Sequence, residues 1–252
     1  NSNNKQHTND HICTLHGETE KKEKIPTNTC PPDLAELSIR SEAFATYAPH
    51  VQLDVADGAF VPAVCWPYAE GQLSELSALA GKGLPQSGKI SYEVHIMAEE
   101  PKGVGVLFAQ ARVERIIGHI EAFADSREAL SALEAWRTAG AREVGLALLL
   151  DTPLPVIEPL VSRCDVVQVM SIARLGYQGA PFEPRIFDRI RELHALHPDL
   201  VIEVDGGVSE KNIQDLVRAG ASRFGVGSAI SKAADPKSAY EHLKKLAEDA
   251  VQ

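Results

Sequence analysis

From residue 24 onward, short apolar runs alternate with longer stretches in which apolar residues recur every three or four positions. The short runs fall at 24–30, 50–55, 90–97, 115–120, 143–150, 165–170, 200–205 and 223–227. Several are solidly apolar instead of alternating. That pattern belongs to strands buried on both faces, as in a parallel sheet covered by helices. The first run is diluted by Pro26 and the polar Thr27-Asn28-Thr29. Helical spacing predicts helices over 32–47, 126–139, 184–196, 210–219 and 236–250. Asp125–Ser126 and Ser209 suit N-caps, Gly140 and Gly220 suit the C-terminal ends, and Pro101 and Pro155 suit first turns. The Gly-rich stretch 81–88 reads as a loop. Eight strands alternating with about eight helices fit a closed barrel or a doubly wound sheet, and the count of eight favours a single (β/α)₈ TIM barrel.

The length of 252 residues suits one such barrel, and no internal repeat or interdomain linker divides it. Residues 1–23 are polar and rich in Asn, Lys and Glu, so a flexible tail is expected there, with the barrel spanning 24–252. His7, His11, Cys13 and His16 are too irregularly spaced in that tail to favour a metal site. No apolar run reaches the length of about 20 residues that a membrane helix needs. Residues 1–29 lack the apolar core of a signal peptide, so a cytoplasmic location is expected. The four cysteines form no CxxC pair and are expected to be reduced thiols. A net charge of −10 without a basic block argues against nucleic acid as a partner. It leaves room for a small phosphorylated substrate, since backbone N–H groups hold phosphate without net positive charge.

Barrel active sites lie at the C-terminal ends of the strands. The polar residues there include Asp54 and Asp57, His95, His119 and Glu121, Asp151, Ser171 and Asp205. Asp54 and Asp205 end the second and seventh strands. Two carboxyl groups facing each other across a substrate can take a proton from one face and return it to the other, as an epimerisation demands. His95 can reach the same space, to ligate a metal or polarise a carbonyl. Gly206–Gly207 and Gly227–Ser228 end strands whose loops commonly bind phosphate. Each feature also has a plain structural reading, as a cap, a turn or a hydrogen-bonded core residue. No strand ends in the Lys of a Schiff-base aldolase, and no GxGxxG follows a strand.

At these residues the chain resembles the ribulose-phosphate 3-epimerase family. Leu53-Asp54-Val55-Ala56-Asp57-Gly58-Ala59-Phe60-Val61-Pro62 is similar to the family's LDVMDGxFVP. His95-Ile96-Met97 before Pro101, His119-Ile120-Glu121-Ala122, and Gly145-Leu146-Ala147-Leu148 before Thr152-Pro153 match further pieces in order. Met170 with 176–182, Val204-Asp205-Gly206-Gly207-Val208, and Val226-Gly227-Ser228-Ala229-Ile230 complete the series. The resemblance implies a barrel of the ribulose-phosphate-binding type. It also implies inversion of C3 of a pentulose 5-phosphate, ribulose 5-phosphate to xylulose 5-phosphate. Asp54 and Asp205 would transfer the protons while a divalent metal (Zn, Mn or Fe) stabilises an enediolate. The metal positions map to Gln52, Asp54, His95 and Asp205. The substrate and phosphate positions map to Asn28, Gly176, Gln178, Gly179, Gly206, Gly207, Gly227 and Ser228. A homo-oligomer is implied as well.

Gln52 departs from the family, which has His there. An amide oxygen is a poorer Zn²⁺ ligand than imidazole, so metal binding would be weaker, shifted toward a harder cation, or lost. Leu149 and the segment Ala173-Arg174-Leu175 also depart from the family pattern, and Arg174 is either a phosphate contact or an exposed loop residue. Two alternatives therefore stand beside pentulose-phosphate epimerisation. One is epimerisation or isomerisation of a different phosphosugar; the other is a catalytically weak phosphosugar-binding homologue.

Overall fold

The computed structural model of this chain describes residues 24–69, 71–176 and 180–251. Its strands are β1 (Thr27–Thr29), β2 (His50–Ala56), β3 (Ser91–Met97), β4 (Arg115–His119), β5 (Glu143–Leu148), β6 (Val166–Met170), β7 (Val201–Asp205) and β8 (Arg223–Gly225). They form one sheet in the order β1 to β8, every neighbouring pair parallel. The sheet closes on itself. Phe224 N–H donates to Lys24 C=O at 3.1 Å, Val226 N–H to Pro26 C=O at 3.0 Å, and Asn28 N–H to Val226 C=O at 3.1 Å. The strand count thus resolves into a barrel, as the sequence predicts. The polar first strand departs from expectation in its length: only its Thr-Asn-Thr centre is regular strand.

The solid apolar runs have two destinations. Leu53, Val94, Ile116, Leu146, Val167, Ile202 and Phe224 point outward and are fully buried under the helices. Each fully buried Leu or Ile side chain contributes about 1.5–3 kcal/mol. Alternate positions point into the barrel, where Ile117, Ala147 and Val166 pack as a small separate cluster. Charged residues fill the N-terminal end: Arg115 pairs with Glu93 and Glu143, and Arg223 lies 3.5 Å from Glu93. Glu203 is fully buried near them, and burial, reinforced by the charge of Glu93, pushes its carboxyl well above the ordinary value.

The covering helices are α1 (Leu34–Phe44), α2 (Gln72–Ala78), α3 (Pro101–Gln110), α4 (Ser126–Ala139), α5 (Ile186–Leu196), α6 (Ile213–Ala219), α7 (Ser228–Ser231) and α8 (Pro236–Asp249). Helix α4 follows its sequence signals from end to end. Asp125 accepts from the Arg127 and Glu128 N–H groups, Leu133 and Trp136 bury one face, and Gly140 stops the helix at φ +120°. One expectation is corrected and one is met in a different kind of helix. Ser209 is not the cap of α6; Asn212 occupies that position, and its Oδ1 accepts from Ser209 N–H at 2.9 Å. Pro155 lies in a 3₁₀ turn (Leu154–Val156), and β5 connects to β6 through that turn and another (Val161–Arg163) without an α-helix.

Cys30 follows β1 and Cys65 lies between β2 and α2. They form a disulfide with Cα atoms 5.6 Å apart, which corrects the expectation of reduced thiols for this pair. The pairing of β1 with β2 and the fold of the β2 loop bring together two cysteines 35 positions apart. Cys164 is a free thiol. The expected tail at 1–23, with its His and Cys cluster, lies outside the described residues. No helix among the described residues is long and apolar enough to cross a membrane.

Candidate active site

Strand register assembles the site. In a parallel ladder, paired residues face the same side of the sheet. Asn28 pairs with Gln52, Asp54 with His95, Met170 with Asp205, and Asp205 with Gly225. All of these inward positions lie toward the C-terminal end of the barrel. The ligating atoms of Asp54, His95 and Asp205 come within 4.8 Å of one another. Glycine at 225 is required by space: a Cβ there would stand 3.0 Å from the Asn28 amide and from Asp205 Oδ1.

Gln52 sits among the three. Its Nε2 donates to Asp54 Oδ1 at 2.9 Å and to Asp205 Oδ2 at 3.1 Å, and lies 3.4 Å from His95 Nδ1. Its Oε1 is buried and has no partner among the described residues. Asn28 Nδ2 donates to Asp205 Oδ1 at 2.8 Å. Burial, and then the charge of Asp54, raise the Asp205 carboxyl to about 7 despite these donors. His95 Nδ1 stands 3.2 Å from Asp54 Oδ1 and 3.5 Å from Asp205 Oδ2. Burial pulls the His95 imidazole down, but the hydrogen bond to Asp54 and the surrounding carboxylates outweigh it, and its affinity for a proton is raised.

A second tier lies behind His95. His119, at the end of β4, approaches it Nε2 to Nε2 at 2.9 Å and faces Glu121 Oε2 through Nδ1 at 3.1 Å. Burial lowers the His119 imidazole to about 4, so it is neutral near pH 7. Burial works against the charged Glu121 carboxylate, yet His119, Thr152 and the Leu149 amide hold it below its ordinary value.

Above these residues opens a cavity of about 450 Å³ with Asp54 and Asp205 on its floor. Six of the predicted substrate positions line it: Asn28, Gly176, Gly206, Gly207, Gly227 and Ser228. Gln178 and Gly179 lie outside the described residues. Gln52 and His95 are fully buried and do not line the cavity. Gly206 and Gly207 hold φ +111° and +66°, and a Cβ on either would meet Ile172 or Phe182 at about 3 Å. Met97, Met170 and the Cys30–Cys65 disulfide complete parts of the wall. Arg174 is exposed and lies off the cavity.

This constellation matches known proteins along most of its length. Residues 31–231 match the Ribulose-phosphate 3 epimerase family. The chain belongs to that family. It is 27% identical over 228 residues to the cytoplasmic isoform of ribulose-phosphate 3-epimerase of Oryza sativa subsp. japonica, covering 89% of this chain and 94% of the relative. It is 32% identical over 202 residues to ribulose-phosphate 3-epimerase of Aquifex aeolicus, covering 79% and 84% respectively. Among solved structures, 3-hexulose-6-phosphate synthase from Salmonella typhimurium superposes with a TM-score of 0.65 over 90% of this chain and 99% of that one, at 19% identity. KGPDC from Streptococcus mutans superposes with a TM-score of 0.64 over 91% and 99%, at 12% identity. At those identities the structures speak to the fold alone.

The family's divalent metal can be tested against the donor set. Two carboxylates and one imidazole converge, which suits a divalent cation. Gln52 would complete the set only by turning Oε1 inward, and that atom is the one left without a partner. The residues present therefore fit a cation, with Gln52 as the awkward member. The sequence marks His119 and Glu121 as polar residues at a strand end but assigns them no role. Their spacing of two along the chain at the end of β4 is the available signal.

Proposed function

We propose that this family member is an epimerase that inverts C3 of a pentulose 5-phosphate, interconverting ribulose 5-phosphate and xylulose 5-phosphate. The observation that carries the reading is the pair Asp54 and Asp205, cross-linked by Gln52 on the floor of a cavity lined by the family's substrate positions. A cavity of about 450 Å³ is of the size that holds small ligands.

In the forward direction Asp54 removes the C3 proton, and the electron pair passes to the neighbouring carbonyl oxygen. Asp205, whose carboxyl burial raises to about 7, delivers its proton to the opposite face of C3. The two roles exchange in the reverse direction. Gln52 and Asn28 donate hydrogen bonds that hold the two carboxyl groups in place before the substrate arrives. Gly206, Gly207, Gly227 and Ser228 offer backbone N–H groups for the phosphate at the ends of β7 and β8. Asp54, His95 and Asp205 would hold a divalent cation, which when bound draws off negative charge developing on the substrate oxygens.

Gln52 favours one second reading, a phosphosugar-binding homologue with little turnover. Incubation with ribulose 5-phosphate in D₂O, with and without Mn²⁺ or Zn²⁺, separates the two. Deuterium at C3 together with xylulose 5-phosphate supports the epimerase. Binding without exchange under any metal condition supports the binding protein. A larger turnover on another phosphosugar would move the substrate assignment.

The cytoplasm is the location proposed, on the name of the rice relative. The Cys30–Cys65 disulfide would be unusual in a reducing compartment, and thiol alkylation followed by intact mass on protein from its native cells tests this. Light scattering tests the implied homo-oligomer.

A further inference from the structure

We propose that Glu121 and His119 are positioning residues that fix which nitrogen of His95 carries a hydrogen, and so turn His95 Nδ1 toward Asp54 and Asp205. The proposal deepens the reading of this site as a proton-transfer centre and rests on it.

Hydrogens can be counted along one buried chain of contacts. Glu121 Oε1 accepts from the Leu149 N–H at 2.8 Å and from the Thr152 hydroxyl. A backbone N–H can only donate, so Glu121 is the accepting end of the chain. Its other oxygen, Oε2, faces His119 Nδ1 at 3.1 Å, and this nitrogen must therefore carry a hydrogen. The only hydrogen of a neutral His119 is then spent, and Nε2 is a bare acceptor. His95 Nε2 lies 2.9 Å from it, and two ring nitrogens in contact share one hydrogen, so His95 supplies it. That leaves His95 Nδ1 as the end where a donor, a further proton shared with Asp54, or a cation must sit between the ring and the carboxylates. It is the end that faces Asp54 Oδ1, Asp205 Oδ2 and the Gln52 amide.

The opposite order would set the His119 Nδ1 lone pair against the Glu121 carboxylate in a fully buried position. Ring packing holds the alignment as well. Phe60 packs against His119 and His119 against His95 as tilted ring pairs, with centroids 5.0 Å apart in both. Orientation of a ligating histidine by a carboxylate behind it is a general device. Here it runs through a second histidine.

The test uses the whole protein labelled with ¹⁵N-histidine. Long-range nitrogen–proton correlation spectra of the wild type should show hydrogens on His95 Nε2 and His119 Nδ1. Glu121→Gln then reverses the chain. Its Oε1 stays with Leu149 and Thr152, so its amide N–H faces His119 Nδ1 and pushes the hydrogen to His119 Nε2. His95 Nε2 should lose its hydrogen, and Mn²⁺ affinity measured by calorimetry should fall at least about tenfold. A wild-type spectrum with His95 Nε2 bare overturns the proposal. So does a Glu121→Gln protein that keeps the wild-type pattern, whatever its Mn²⁺ affinity. Should that variant fail to fold, the wild-type spectrum alone decides. None of these readouts needs substrate turnover, so a chain that proves inactive on pentulose phosphates would sink the functional reading and leave this one standing.

Discussion

Replacing Gln52 with His is the perturbation that bears most directly on how this family member handles a metal. In the wild type the amide Nε2 donates to Asp54 at 2.9 Å and to Asp205 at 3.1 Å. A cation entering among these carboxylates must break both bonds and wait for Oε1 to turn inward. Hydrogen bonds to charged groups contribute about 1.5–3 kcal/mol each. The cation itself compensates the carboxylates for part of that loss, so the net handicap is taken as one bond. At about 1.4 kcal/mol per factor of ten, Gln52→His should tighten metal binding by about 10- to 100-fold. An imidazole is also the better ligand for Zn²⁺. The assay is calorimetric titration of Mn²⁺ and Zn²⁺ into both proteins after EDTA treatment and dialysis. Affinities equal within about twofold would refute the reasoning, because Gln52 would then not obstruct the cation. Tighter binding by the wild type would show that the amide oxygen is already a working ligand.

Asp54→Asn and Asp205→Asn should each cut turnover on ribulose 5-phosphate by at least about 10²-fold, the lower range for loss of a general acid or base; a near-normal rate in either variant removes that residue from the mechanism. In metal-free protein, C3 exchange that draws its proton from Asp205 should decline as pH rises through about 7, where that carboxyl loses its proton; a pH–rate profile flat from 6 to 9 argues against the role. Glu203 holds its proton in the fold, while the unfolded chain releases it above the ordinary value of 4.5, so rising pH favours unfolding across that window. Glu203→Gln should therefore raise Tm relative to wild type by an amount that grows as pH rises above the ordinary value of 4.5, and a difference constant with pH would refute it. Breaking Cys30–Cys65 with a double Ser substitution releases a loop of 35 residues and should cost about 3–4 kcal/mol in denaturant unfolding; an unchanged midpoint would mean that the pair contributes nothing to stability.

Legibility followed the range of the interaction that decides each feature. The strands β3 to β8 and the helices α1, α4, α5, α6 and α8 fall within the predicted stretches, and β2 runs one residue past its own, to Ala56, because burial on two faces or on one leaves a period in the local sequence. Asp125 and Gly140 were readable as helix ends because capping acts within one turn. Helix α2 has only 7 residues, too few to establish a period, and Ser209 lost its capping place to Asn212 three residues on, where the helix turn begins. Pro155 marks a first turn but cannot say whether an α-helix follows; here the chain stays in 3₁₀ turns.

The candidate site divides in the same way. Asp54, His95 and Asp205 were legible as polar ends of apolar strands, and the order of motifs around them carried the family. Their convergence within 4.8 Å was not, because it depends on the register of seven parallel pairings and on the closure of β8 against β1. The sequence by itself determined the barrel, its eight strands and the residue types at its mouth, since hydrophobic period and strand-end polarity are local properties. Tertiary structure alone decided that Cys30 meets Cys65, that the Gln52 amide turns its N–H groups to both aspartates, and that Glu121 reaches His95 through His119. The disulfide, the Gln52–Asp205 bond and the His119–His95 contact join residues 24 or more positions apart, and such a contact leaves no period in the chain that could announce it.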